Sequence, residues 1–147
     1  MKKYIICFLL LAGIAIHAQQ HEDIWVTDFE LAKTQAKEQN KNILMYFTGS
    51  DWCKPCKILK VDLFDTPKFQ KYAKSYVMLK IDIPRNQELL SEEQRKENFK
   101  ILKEYNTEGA FPLLLAMSKQ GKVLDQISGY SSMRDTSYHY KLLDKFK

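Results

Sequence analysis

The chain has 147 residues and a formal net charge of +5, enough for one domain with a proper core and too short for two ordinary ones. The positive excess is spread along the chain with no dense basic tract, which leaves nucleic-acid binding without support. Three cysteines, two of them only two residues apart, do not make a stabilising disulfide framework.

In chain order, Lys2 and Lys3 precede an apolar run from Tyr4 to Ile16 broken only by Gly13, and Ala18 closes a small-residue site before Gln19-Gln20-His21. This pattern predicts a secretory signal peptide over residues 1–18 and a single domain over 19–147. As an uncleaved anchor, Tyr4 to Ile16 would fall short of the roughly 20 residues that a bilayer span needs. Ile16 is bulkier than the usual alanine two places before the cut, so the cleavage position stays open. Ile6 before Cys7 is not the small residue that lipidation prefers, and a lipoprotein is rejected. Cleavage would remove Lys2, Lys3 and Cys7, lower the formal charge to about +3, and leave Cys53 and Cys56 alone in an exported, oxidising compartment.

Ile24-Trp25-Val26 suggests a brief strand. Thr27-Asp28-Phe29-Glu30 fits a capping box for a helix to about Gln39, with Phe29, Leu31, Ala32 and Ala36 as its apolar stripe. Ile43 to Phe47 is nearly continuously apolar, as in a strand buried on both faces. Ile58, Leu59, Val61, Leu63 and Phe64 recur at helical spacing, and Thr66-Pro67 opens a further short helix to Lys74. Tyr76 to Ile83 is a second buried strand, and residues 84–91 read as loop. Ser91-Glu92-Glu93-Gln94 caps a charged helix to about Tyr105 with Phe99, Ile101 and Leu102 inward, its charge a solvated face. Leu113 to Met117 is an apolar strand and Ser118 to Gly121 a turn. Val123 to Ile127 alternates as an edge strand would, and Gly129 marks a bend. A last helix from about Ser132 to Phe146 has Tyr138, Leu142, Leu143 and Phe146 as packing candidates and His139 at the surface or partly packed. The order β-α-β-α-α-β-α-β-β-α combines a parallel βαβ unit with a late antiparallel hairpin, an α/β domain with a mixed sheet.

Between the first long strand and its helix lies Gly49-Ser50-Asp51-Trp52-Cys53-Lys54-Pro55-Cys56-Lys57. A cysteine at the first turn of a helix faces unpaired N–H groups and the positive end of the helix dipole, which favour thiolate. Lys54 and Lys57 push the same way and Asp51 opposes them. Cys56, three residues on, shares the helical face and is close enough to close a disulfide. Cys53 is therefore the natural attacking sulfur and Cys56 the natural resolving one.

Trp52-Cys53-Lys54-Pro55-Cys56, Phe111-Pro112, the Lys119-to-Lys122 turn and Gly129 occur in an order and at separations that resemble the thioredoxin superfamily across residues 24–147. A lone C-x-x-C is weak, since zinc sites use it too; with an apolar-Pro pair about 55–60 residues later it is strong. The Gly-Ser-Asp-Trp-Cys form behind a signal peptide looks most like exported, periplasmic thioredoxin-like proteins of bacteria. The resemblance implies a thioredoxin fold, with residues 84–104 as an extra helical insertion. It implies a protein-disulfide reductase or oxidoreductase with catalytic Cys53 and Cys56 and no cofactor. Trp52, Lys54, Pro55, Lys80, Phe111 and Pro112 would support the site. Pro112 would be in cis facing the Cys53 sulfur, Phe111 would line the substrate groove, and the substrate backbone would pair beside the proline like an added strand. Partners would be proteins bearing disulfides or dithiols and a membrane electron donor, with the chain itself a monomer.

Two departures bear on chemistry. Where cytoplasmic relatives carry a buried aspartate, this chain has Tyr46, a poor base with an unperturbed pKa of ~10, so deprotonating Cys56 would fall to Lys80 or water. The residue after the proline is Leu113 instead of the usual threonine, which makes the groove less polar. Two other classes compete. One is a non-enzymatic binding or chaperone module on the same fold. The other is Cu(I) held by the two thiolates with Met45, Met78, Met117 or His21, but none of these stands at ligand spacing from the cysteines. A zinc site lacks two of its four ligands. No metal is expected.

Overall fold

The computed structural model describes residues 24–147; the signal peptide expected over 1–18 lies outside the described residues. Five strands form one sheet: β1 Trp25–Val26, β2 Asn42–Thr48, β3 Tyr76–Asp82, β4 Leu113–Met117 and β5 Val123–Ser128. Their order across the sheet is β1-β3-β2-β4-β5. β1 and β2 run parallel to β3, whereas β4 is antiparallel to both β2 and β5. The helices are α1 Phe29–Glu38, α2 Lys54–Leu59, α3 Pro67–Ala73, α4 Glu92–Tyr105 and α5 Ser137–Phe146. Element order and sheet type follow the sequence pattern. This is a thioredoxin fold, a mixed sheet flanked by helices.

Side chains alternate across a strand, and the three inner strands use both parities. Ile43, Met45, Phe47, Val77, Leu79, Ile81, Leu113, Leu115 and Met117 pack on one face with Phe29, Ala32 and Ala36 of α1 and Ile101 of α4. Leu44, Tyr46, Tyr76, Met78, Leu114 and Ala116 point the other way, to Cys53, Cys56 and Leu59 of the active-site turn and α2, Phe69 of α3 and Leu143 of α5. β2 ends at Thr48 in the middle of the sheet, so the turn after it is carried on the most enclosed strand.

Helix ends and phases correct several expectations. Asp28, not Thr27, caps α1, accepting from the Leu31 N–H at 2.9 Å, and Leu31 lies outside. Ser91 caps α4 through the Gln94 N–H at 3.1 Å, but α4 turns Asn98 and Ile101 inward while Phe99 is 47 % exposed. The amide of Asn98 fixes this phase: it donates to the Asp82 carbonyl at 2.8 Å and accepts from Gln94 Nε2 at 2.8 Å. The helical insertion expected at residues 84–104 is made of a loop with a 3₁₀ turn at Gln87–Leu89, followed by α4 from Glu92. α5 starts at Ser137, later than expected, after Arg134 at φ 54°. It buries His139 and leaves Tyr138 outside, the reverse of the sequence expectation.

Candidate active site

The turn after β2 is folded back on itself. The N–H groups of Trp52 and Cys53 both reach the Gly49 carbonyl, at 3.2 and 2.8 Å. Gly49 has to be glycine, because a β-carbon there would sit 2.3 Å from the Trp52 ring. The indole lies on that space, donates Nε1–H to the Ile83 carbonyl at 2.8 Å and meets Phe111 edge-on with ring centres 5.1 Å apart.

Cys53 is the N-cap of α2: its sulfur accepts the Cys56 N–H at 3.2 Å. The two cysteines form a disulfide with Cα atoms 5.3 Å apart, and in this form they are only 2 % and 1 % exposed. Lys54 and Pro55 occupy the first exposed turn between them. The helical run continues past Leu59 as a π-helical stretch, Lys60–Phe64, a geometry frequent at functional sites. It changes the helical phase so that Leu63 and Phe64 are both buried while Val61 points outward.

Tyr46 and Lys80 are direct partners in the β2–β3 register, and both border a cavity of about 740 Å³ behind Cys56. The Tyr46 hydroxyl lies 3.1 Å from Thr48 Oγ1 and 3.4 Å from the Cys56 carbonyl oxygen. Burial pushes its pKa up to about 12, so it stays a phenol throughout the working pH range. Pro112 is buried at the start of β4, the Phe111–Pro112 peptide is cis, and the Gly129 N–H donates to the Pro112 carbonyl at 2.7 Å. Phe111 is partly exposed beside Trp52. The expected site residues thus gather on two sides of the disulfide: Trp52, Phe111 and the exposed turn in front, Lys80 with Tyr46 behind. Among the described residues, no group of three or more His, Cys, Asp or Glu side chains is gathered as a metal site requires.

Sequence reasoning missed two polar ties. Asp51 has its carboxylate on the N–H groups of Arg85, at 3.1 Å, and Asn86, at 2.8 Å; those hydrogen bonds, Asn86 foremost, hold its pKa below the usual carboxylate range. Asp82 in turn accepts the Ser50 N–H at 2.9 Å. Asp62, in the π-helical stretch, pairs with the Arg134 guanidinium and accepts the Tyr130 hydroxyl at 2.8 Å, and the Arg134 contact lowers its pKa to about 2. Both ties join residues far apart in sequence, which no local pattern marks.

Comparisons agree with this architecture. Residues 24–117 match the thioredoxin-like family model. The chain is 29% identical over 117 residues to a protein named disulfide bond reductase DsbH from Chlamydia pneumoniae, covering 79% of this chain and 69% of the relative. It is 33% identical over 105 residues to a thioredoxin H-type from Oryza sativa subsp. indica, covering 69% of each. A solved structure described as DsbH oxidoreductase superposes with a TM-score of 0.70 at 28% identity, over 82% of this chain and 81% of that one. With its fold, its strand-to-helix cysteine pair and these similarities, the chain belongs to the thioredoxin-like family.

Proposed function

We propose that the protein is an exported, periplasmic thiol–disulfide oxidoreductase working mainly as a reductase of protein disulfides. The observation that carries this reading is the Cys53–Cys56 disulfide, closed across the first turn of a helix whose N-cap is Cys53 itself. A reduced Cys53 at that position has helix N–H groups to stabilise its thiolate.

In the reductive direction the Cys53 thiolate attacks one sulfur of a partner's disulfide, and the other partner sulfur leaves and takes up a proton. Cys56, giving up its proton, then attacks the Cys53 sulfur and releases the second partner thiol. The partner gains two electrons and two protons, and the chain is left as the Cys53–Cys56 disulfide. The tethered second sulfur makes resolution effectively unimolecular. Tyr46 is no base for Cys56, since burial keeps it protonated; the proton of Cys56 would leave through the cavity that Cys56 and Lys80 both line, to Lys80 or to solvent entering there. Trp52 and Phe111 flank the disulfide where a partner polypeptide approaches, with Lys54 and Pro55 setting the turn and Pro112 the backbone edge. A dithiol donor must regenerate the reduced form, and an exported monomer would draw on a membrane-borne one. DsbH, the similar protein from Chlamydia pneumoniae, is named as a reductase, which supports the direction.

Insulin reduction tests this. Cys53→Ser should abolish turnover and Cys56→Ser should accumulate mixed disulfides; retained turnover in Cys53→Ser would sink the mechanism. A reduction potential near −270 mV fits the reductive role, and one near about −120 mV would reverse it.

A further inference from the structure

Phe99 was expected in the core and instead stands half-exposed in a groove of about 1010 Å³ between Trp52 and α4. The floor is apolar: Trp52, Ile83, Pro84 and Phe99. The walls carry five cations, Arg85, Arg95, Lys96, Lys100 and Lys103, against two carboxylates, Glu92 and Glu104. Of these, Lys96 is paired with Glu92 at 2.6 Å and Lys100 with Glu97, outside the groove, at 3.2 Å, while Arg95 donates to the Gln87 carbonyl. Arg85 and Lys103 have no carboxylate partner among the described residues, and the Arg85 guanidinium lies 4.8 Å from the centre of the Trp52 ring.

We propose that this groove docks an acidic segment of the partner polypeptide whose disulfide is presented to Cys53, an inference that rests on the oxidoreductase reading above. Three features single out that occupant. Arg95, Phe99 and Lys103 recur every four residues and share one helix face, spanning about 12 Å at 1.5 Å per residue; this is the reach of three to four extended residues. The cations are strung along the groove instead of converging on one point, so they suit a chain of carboxylates better than a single small anion. They also border a concavity that ends at Trp52, beside the disulfide, whereas a lipid surface is met by protruding side chains. The exposed pairs with Glu92 and Glu97 contribute little and exchange readily for a partner's carboxylates.

The test uses two synthetic peptides, each with one internal disulfide, one flanked by Asp and Glu and the other by Ser and Thr. Their rates of reduction by the pre-reduced protein are compared with that of neutral hydroxyethyl disulfide. At about 20 mM salt the acidic peptide should react about tenfold faster than the neutral one, and at about 300 mM the advantage should shrink to about twofold. The double variant Lys100→Glu/Lys103→Glu should lose the advantage with its hydroxyethyl disulfide rate unchanged, and the milder Lys103→Gln should lose part of it. Equal peptide rates, an advantage insensitive to salt, or one surviving in the double variant would overturn the docking proposal. So would binding to phosphatidylglycerol vesicles, lost in the double variant, without any peptide preference. Hydroxyethyl disulfide turnover without peptide preference would overturn docking alone; no turnover of any disulfide would overturn the oxidoreductase reading and docking together.

Discussion

On β2, Ile43, Met45 and Phe47 face α1 and α4, while Leu44 and Tyr46 face the cysteines. The buried residues of the first face are almost wholly aliphatic, with Phe29 and Phe47 as the rings among them. The second holds Tyr46, Phe64, Phe69, Tyr76 and Tyr140 among its buried residues, and their hydroxyls are spoken for: Tyr76 donates to the Leu143 carbonyl at 2.7 Å and Tyr140 lies 3.1 Å from Thr66 Oγ1. Packing, with the Asn98 amide setting the phase of α4, positions the first face. The second face adds tyrosine hydrogen bonds to its packing, and one of them, from the Tyr46 hydroxyl to the Cys56 carbonyl, reaches the helix that carries the disulfide.

The contrast is best broken from the aliphatic side. Phe47→Ala, at a fully buried ring, should lower unfolding free energy by about 3–5 kcal/mol in urea denaturation while leaving the Cys53–Cys56 potential where it was. A matching shift in potential would show that the two faces are not separable.

His139, on the chemical side, is 2 % exposed, and neither ring nitrogen has a partner among the described residues. It packs edge-on to Tyr130, with ring centres 5.6 Å apart. An unpaired buried polar group costs about 1–3 kcal/mol, so His139→Phe should stabilise the protein by up to that amount at neutral pH. Burial holds the folded-state pKa of His139 below the ordinary 6.5, with Asp135 opposing. The unfolded chain therefore binds the proton first, and wild-type stability should fall as pH drops below about 6.5. The variant's advantage should widen there; chemical denaturation at pH 7.5 and 5.5 would show it, and parallel pH dependences would refute it.

The smallest effect should come from Tyr46→Phe. Losing the contacts to Thr48 and the Cys56 carbonyl should cost about 0.5–1.5 kcal/mol. The pH–rate profile of disulfide exchange should not move, since a phenol with a pKa of about 12 does not titrate in that range. A displaced profile would make Tyr46 part of the proton route.

The fold was largely legible because strand and helix order follows from hydrophobic runs and their breaks, and because a cysteine pair at a strand-to-helix junction is an unusual signal. What stayed hidden depended on helix phase and on contacts between distant segments. One residue is about 100° around a helix, and Asn98, which no hydrophobic pattern marks, turns α4 by binding the Asp82 carbonyl, which sends Phe99 outward. On α5, burying Tyr140, Leu142 and Leu143 carries His139 in with them. The delayed start of α5 follows a segment held by Asp62 through Tyr130 and Arg134, a tie some 70 residues long in sequence.

The Asp51 carboxylate has a further consequence. It grips the crossover segment only by the main-chain N–H groups of residues 85 and 86, which every amino acid except proline supplies. The grip of Asp51 on the turn therefore does not depend on which side chains residues 85 and 86 carry. The segment behaves as an interchangeable fitting on a fixed mount: a related chain could exchange its basic groove for one of another character and keep the same dithiol beneath it.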